Sequence, residues 1–378
     1  MHRFCERCER VTQDGNLWCQ DKDCPAEEGF PVFVYGDYLG DLKITKLVRV
    51  WRTAALYEAQ RGKTEVLLKV AHPNDDCADR LRREALVLEA LSPRQTGLLA
   101  FIRSFLPASR PILPIIQPPY PNRSKRVHGE ITFRGEPRVF SVLSHAKGKI
   151  LSDLILENPQ IWHYQAAWIV TTLAQALRPL VRSNKCHLSI SPDIVLVDTD
   201  RDGNFRPMLM DLGFIIGGGE VDGQYDWAKL TKPAYTAPEL LADTPSRSVS
   251  LEADVYSLGM VLYEMLAGHP GFESKLRRDE QVRDDVTQNR KPLPVGRPEL
   301  EQAGVARVVE RAIAPVGRFN DVLELSDALI AIYSSPPPER RTIPRRLYVL
   351  LAVLGVFILG IGLVAGYLLL QVLLNGGR

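Results

Sequence analysis

Residues 187–198 read HLSISPDIVLVD. The stretch has the length and apolar rhythm of a catalytic loop. Such a loop needs an acid or base and a metal ligand, and here Ser189, Ser191 and Ile194 stand where those groups belong. Either the chain carries out a reaction by other means or it keeps only the shape of a protein that does.

On either side of this loop the hydrophobic pattern changes character. EVLLKVA, residues 65–71, reads as a buried strand, and DRLRREALVLEALS, residues 79–92, as an amphipathic helix with leucines at helical spacing. PRVFSVLSHA, residues 137–146, is strand-like. Residues 163–183 and 250–268 each carry the pattern of a long helix. The stretch from 107 to 138 is rich in Pro and Arg and reads as a loop-bearing insertion between strands. A sheet-rich start joined to a helix-rich remainder predicts an α+β protein with two lobes.

Short motifs fall along these elements in a fixed order. They are Lys69 in VLLK, Glu84 in RREAL, His187 in the opening stretch, Asp211-Leu212-Gly213, Ala237-Pro238-Glu239, Asp254 in ADVYSLG and Arg318 in APVGRF. Together they resemble the protein kinase family of the bacterial and eukaryotic Ser/Thr type, over about residues 38–334. The resemblance implies an N-lobe of about 38–146 and a C-lobe of about 147–334. It implies that Lys69 holds nucleotide phosphates with Glu84 as its helix partner, and that Asp211 binds magnesium. Glu239 and Arg318 would form a buried ion pair, and Asp254 would hold the backbone of the catalytic loop. Leu88, Leu212 and His187 would stack as an apolar column joining the lobes. Residues 217–236 would form the activation segment, with Thr231, Tyr235 and Thr236 as phosphate acceptors.

The departures from the family pattern decide the chemistry. Ser189 replaces the catalytic base, and a serine hydroxyl has no useful basicity near neutral pH; general-base catalysis is worth ~10²–10⁴ in rate. Ser191 replaces a lysine that neutralises the transferred phosphoryl group. Ile194 replaces an asparagine metal ligand, and a branched hydrocarbon cannot ligate a hard cation. In VRVWRTAALYEAQ, residues 48–60, Arg49, Trp51 and Ala54 fall where phosphate-covering glycines belong. Leu67 takes the place of the alanine that roofs the adenine and fills the space a purine needs. Leu188 replaces the arginine that reads an activation-loop phosphate. Asp193 as a displaced base is the alternative for the loop. ATP with Mg2+ at Lys69, Glu84 and Asp211 is the alternative to a purely lobe-bridging charge network.

The ends of the chain carry separate signals. Cys5 and Cys8 form a C-x2-C pair, and Cys19 and Cys24 form a C-x4-C pair ten residues later. With Asp14-Gly15 as a turn between them, residues 1–28 resemble a small zinc ribbon in which four thiolates hold structural Zn2+. A redox pair and unstructured cysteines are the alternatives. Cys77 and Cys186 stand apart, as expected of a reducing compartment. Residues 335–346 form a Pro/Arg linker. Residues 347–374 contain no charged side chain and are long enough to span a bilayer. Arg340, Arg341, Arg345 and Arg346 precede that run, which places the large N-terminal part in the cytoplasm. Gly362 and Gly366 make a G-x-x-x-G step suited to a homodimer of spans.

Lys and Arg number 47 against 45 Asp and Glu, and this balance gives no support for a nucleic-acid partner. The reading that results is a single-pass membrane pseudokinase that recruits or regulates a cytoplasmic signalling protein. An atypical Ser/Thr kinase, and a switch that binds nucleotide without turnover, are the competing readings.

Overall fold

The computed structural model describes residues 2–5, 9–12, 29–91, 110–120, 126–133, 135–220, 225–242, 248–274, 277–288, 292, 297–339 and 345–375. The chain divides into two compact units, residues 1–92 with 111–337, and residues 93–110 with 338–378.

The first unit begins with a three-stranded antiparallel sheet in the order β2-β1-β3, from β1 (His2–Phe4), β2 (Val11–Thr12) and β3 (Phe30–Val32). Because β3 pairs with β1, this small sheet reaches past residue 28, the boundary expected from the cysteines. Cys5 follows β1 and is buried. Glu9 N–H donates to the Cys5 carbonyl at 2.8 Å, with Glu9 at φ +55°, and Cys5 N–H donates to the Arg10 carbonyl at 2.9 Å. Cys8, Cys19 and Cys24 lie outside the described residues.

The upper lobe is a seven-stranded sheet. Its order is β4-β5-β6-β7-β10-β8, with β9 also paired to β10. The strands are β4 (Tyr38–Leu39), β5 (Leu42–Val50), β6 (Ala54–Arg61), β7 (Thr64–Ala71), β8 (Ile116–Gln117), β9 (Gly129–Phe133) and β10 (Glu136–Ser144). The segment expected as an insertion thus contains two strands of its own, and β9 extends the sheet through its pairing with β10. β7 is buried on both faces from Val66 to Ala71, an apolar run interrupted only by Lys69. Val66, Leu68 and Val70 pack with Ile44 and Tyr57 on one face, whereas Leu67 on the other joins the core of the lower lobe. Helix α1 (Asp75–Leu91) buries Cys77, Arg80, Leu81, Glu84, Ala85 and Leu88, a single helical stripe that contains two charged side chains.

The lower lobe contains short sheets from β11 (Lys149–Ile150), β12 (Lys185–Cys186), β13 (Val195–Thr199), β14 (Phe205–Leu209) and β15 (Ile216–Gly217). Its helices are α2 (Leu151–Glu157), α3 (His163–Arg182), α4 (Trp227–Leu230), α5 (Pro238–Leu241), α6 (Glu252–Ala267), α7 (Asp279–Thr287), α8 (Pro298–Ala303), α9 (Val305–Ala312) and α10 (Val322–Tyr333). α6 is buried continuously from Ala253 to Leu266, so it is the lobe's central helix. It ends at Gly268, φ +79°, where an added Cβ would sit 2.2 Å from the Pro159 carbonyl oxygen. α10 starts at Asp321, whose carboxylate accepts from the backbone N–H groups of Leu323 and Glu324 at 2.7 and 3.0 Å. One apolar cluster runs through both lobes, holding Trp51, Leu67 and Leu143 together with Ile194, Leu196 and Leu212.

The second unit contains the Arg110–Glu339 ion pair, at 2.8 Å, and helix α11 (Arg345–Asn375). The helix starts two residues ahead of the expected span. Its stretch Leu351–Gln371 is long and apolar enough to cross a membrane. Gly362 and Gly366 stand on it with nothing within 4 Å of an added Cβ.

Candidate active centre

Four ionised side chains close on one another where the lobes meet. Lys69 Nζ, from the middle of β7, donates to Glu84 Oε2 at 2.5 Å and to Asp211 Oδ2 at 2.7 Å. Arg80, one helical turn before Glu84, donates to Asp211 Oδ1 and to the Thr53 hydroxyl. The Gly213 N–H also donates to Asp211 Oδ1, at 2.6 Å. All four residues are buried, so two cations balance two carboxylates out of reach of water. Burial alone would push the Asp211 carboxyl up, but Arg80 and Lys69 outweigh it and hold the group well below the usual carboxylate range. Glu84 moves the other way, raised by burial against the pull of Lys69.

The turn between β5 and β6 covers this network. The Trp51 ring centroid lies 4.9 Å from Lys69 Nζ, a cation–π distance. The Trp51 indole N–H donates to the Asp193 backbone carbonyl at 3.0 Å, tying the upper-lobe turn to the loop below. Arg49 reaches the Asp193 carboxylate and donates to the Ser152 hydroxyl at 2.6 Å. Ser152 and Lys232 donate to the same carboxylate at 2.9 and 2.5 Å. Burial would raise Asp193, yet Lys232 and Arg49 hold it far below the ordinary range. A carboxylate with three committed donors and such low basicity does not serve as a displaced base.

Asp254, buried in α6, accepts from the backbone N–H groups of His187 and Leu188, both at 2.7 Å. It thereby fixes Leu188 at φ +65°, a conformation that leucine rarely adopts. Burial raises Asp254 to about 6. His187 Nε2 lies 2.8 Å from the Asp211 carbonyl and the Ser189 N–H meets its Nδ1 at 3.2 Å, so the ring is the neutral Nε2–H tautomer. Burial lowers its pKa to about 4. Gly213, φ +64°, passes His187 so closely that an added Cβ would fall 2.0 Å from its carbonyl oxygen. Leu88, Leu212 and His187 are all buried. Glu239 and Arg318 pair at 2.6 and 3.1 Å.

The altered positions are equally well defined. Ile194 and Leu67 are core residues, and Ala54 opens β6 without any loop around it. Ser189 and Ser191 line a small opening beside Asp211, about 30 Å³ in volume and open to solvent. Thr231, Tyr235 and Thr236, expected as phosphate acceptors, are buried. The Thr231 and Thr236 hydroxyls bond each other at 2.6 Å, and the Tyr235 hydroxyl donates to Glu264 at 2.5 Å. Burial raises Glu264 to about 7. These three side chains are therefore fixed parts of the lower lobe. Reading the sequence missed Arg80, Arg52 and Lys232 at the centre. For Arg80 a signal existed, since it shares the buried stripe of α1 with Glu84.

Residues 127–312 match the protein kinase domain. The chain is 28% identical over 221 residues to serine/threonine-protein kinase PknB of Mycobacterium leprae, covering 56% of this chain and 33% of that protein. It is 27% identical over 150 residues to mouse serine/threonine-protein kinase DCLK3, covering 40% of this chain and 18% of the relative. Mouse DCLK2 matches at 30% over 156 residues, 41% of this chain and 20% of its own length. The chain thus spans about a fifth to a third of the length of these relatives. The solved kinase domain of Mycobacterium tuberculosis PknI shares the fold, with a TM-score of 0.52 and 19% identity over 80% of this chain and 100% of that one.

Proposed function

The domain match, the Ser/Thr kinase relatives and the shared fold support the protein kinase family for this chain, and we propose that within it the chain is a membrane-anchored pseudokinase, a cytoplasmic scaffold or regulator with little or no phosphoryl transfer. The observation that carries this reading is Asp211. Its two oxygens are committed to Lys69, Arg80 and the Gly213 N–H. A magnesium ion there would have to displace a buried cation before it met its first ligand. Around it, Ser189 offers no base, Ile194 no ligand, and Trp51 with Leu67 occupies space that a nucleotide needs.

The atypical-kinase and nucleotide-switch readings draw on one feature, the Lys69–Glu84 pair, which is formed as nucleotide binding requires. Labelled ATP with Mg2+ or Mn2+ separates them. The full chain is expected to transfer no label to itself or to generic substrates, and Mg-ATP is expected to leave its melting temperature unchanged. Transfer abolished by Asp211→Asn would overturn the pseudokinase; a large upward shift without transfer would favour the switch.

Anchoring rests on α11 and on the arginines that precede it. The chain should stay in the membrane pellet through an alkaline carbonate wash, and a chain ending at residue 338 should not. For zinc, the residues fit as far as they are described. Cys5 is buried at the end of β1, and a tetrathiolate with Cys8, Cys19 and Cys24 would supply folding energy to so short a segment.

A further inference from the structure

The opening above Asp211 is lined by Arg52, Thr53 and Arg80 from the upper lobe and by Ser189, Ser191 and Lys232 from the lower. Three of its lining side chains are cationic, and Asp211 is the anionic one. Asp211 is turned toward Lys69, Arg80 and Gly213. The carboxylates that pair with Lys232 and Arg52, namely Asp193 and Asp279, are not lining residues, and Arg52 also donates to the Ala228 carbonyl at 2.5 Å. Arg80 is buried and its Nε–H has no hydrogen-bond partner, an unmet donor in the wall of the opening. Replacing a base and a metal ligand with Ser189 and Ile194 removed the groups that attract a cation. What remains, beside an apolar wall of Trp51, Ile190, Ile194 and Leu230, is hydroxyl, guanidinium and ammonium donors from a turn, a helix and a loop.

We infer that this opening binds a phosphoryl oxyanion, supplied as free phosphate or as a phosphorylated Ser or Thr side chain of a partner protein. Donors on several sides suit a tetrahedral group of oxygens better than a planar carboxylate, and guanidinium forks match phosphate well. The inference rests on the reading that phosphoryl transfer is lost, since a catalytic centre would hold metal at Asp211 instead.

Calorimetric titration of the full chain in detergent micelles tests it, with no nucleotide present. The probes are inorganic phosphate, an alanine-flanked phosphoserine peptide and the same peptide unphosphorylated. Phosphate or phosphopeptide is expected to bind and the unphosphorylated peptide is not. A phosphopeptide much tighter than phosphate assigns the source to a partner protein, and equal affinities assign it to the free anion. Ser189→Asp puts a like charge on the half-buried wall, and Arg52→Gln removes a donor; each is expected to weaken binding by about tenfold or more. Both variants are checked for an unchanged melting transition, and either one, if folded, decides the matter. No binding by the native chain, or binding indifferent to both substitutions, overturns the inference. If label transfer from ATP is also absent, only this inference falls; if transfer occurs, the pseudokinase reading falls with it.

Discussion

Glu264 lies within the lower lobe with the Tyr235 hydroxyl donating to it, and burial raises its pKa from 4.5 to about 7. Between those values the native state holds a proton that the unfolded chain has released. The group's contribution to stability is therefore complete below pH 4.5 and is lost as pH rises through 7, a change of ~3 kcal/mol over the window. Glu264→Gln keeps an acceptor for Tyr235 and removes the titration. Urea unfolding at pH 5 and pH 7.5 should show the variant gaining stability relative to the native chain at the higher pH, and a difference that does not change with pH would sink the assignment. At this scale the sequence was a good guide wherever a charged residue interrupts an apolar run. Lys69 in VLLK and Asp254 in ADVYSLG are such interruptions, and both are buried with partners. Arg80 was passed over despite its helical spacing from Glu84, because a helical arginine usually reads as solvated. Only the approach of Asp211, 131 residues along the chain, gives it a buried partner.

The turn between β5 and β6 shows what a pattern of missing glycines does and does not disclose. Arg49, Trp51 and Ala54 were visible in the sequence in place of glycines, and from them an obstructed phosphate site was expected. That Trp51 and Arg49 grip Asp193 in the opposite lobe was not, since the contact joins segments 142 and 144 residues apart. The activation segment failed in a related way. Its glycines suggested an open loop with modifiable hydroxyls, yet Thr231 and Thr236 satisfy each other inside the lobe. The turn offers a direct test of exclusion. Trp51→Gly combined with Leu67→Ala should lower stability by ~3–5 kcal/mol or more, the range for removing a large buried ring. The same variant should bind a fluorescent ATP analogue more tightly than the native chain does. Loss of stability with no gain in binding would show that neither side chain is what keeps nucleotide out.

At the level of the whole chain, the two lobes and the apolar span were legible from hydrophobic period and length. The β9–β10 pairing in the Pro/Arg-rich region was not, because turn residues there masked the alternation. The N-terminal sheet reaches Val32 because pairing with β1, rather than cysteine spacing, sets its edge. If four thiolates hold Zn2+ there, the purified chain should carry one zinc per molecule, and a thiol-reactive dye should label four more cysteines after chelation; no metal and immediate labelling would dismiss the ribbon. Finally, the apolar cluster runs unbroken from Leu143 and Leu67 through Trp51 to Leu196. An enzyme that turns over must part its halves to admit substrate and let product go. Here hydrocarbon bridges the seam beside the buried charges of Lys69, Glu84, Arg80 and Asp211, so calorimetry should record one endotherm for both halves, and two separate endotherms would show that each half melts alone.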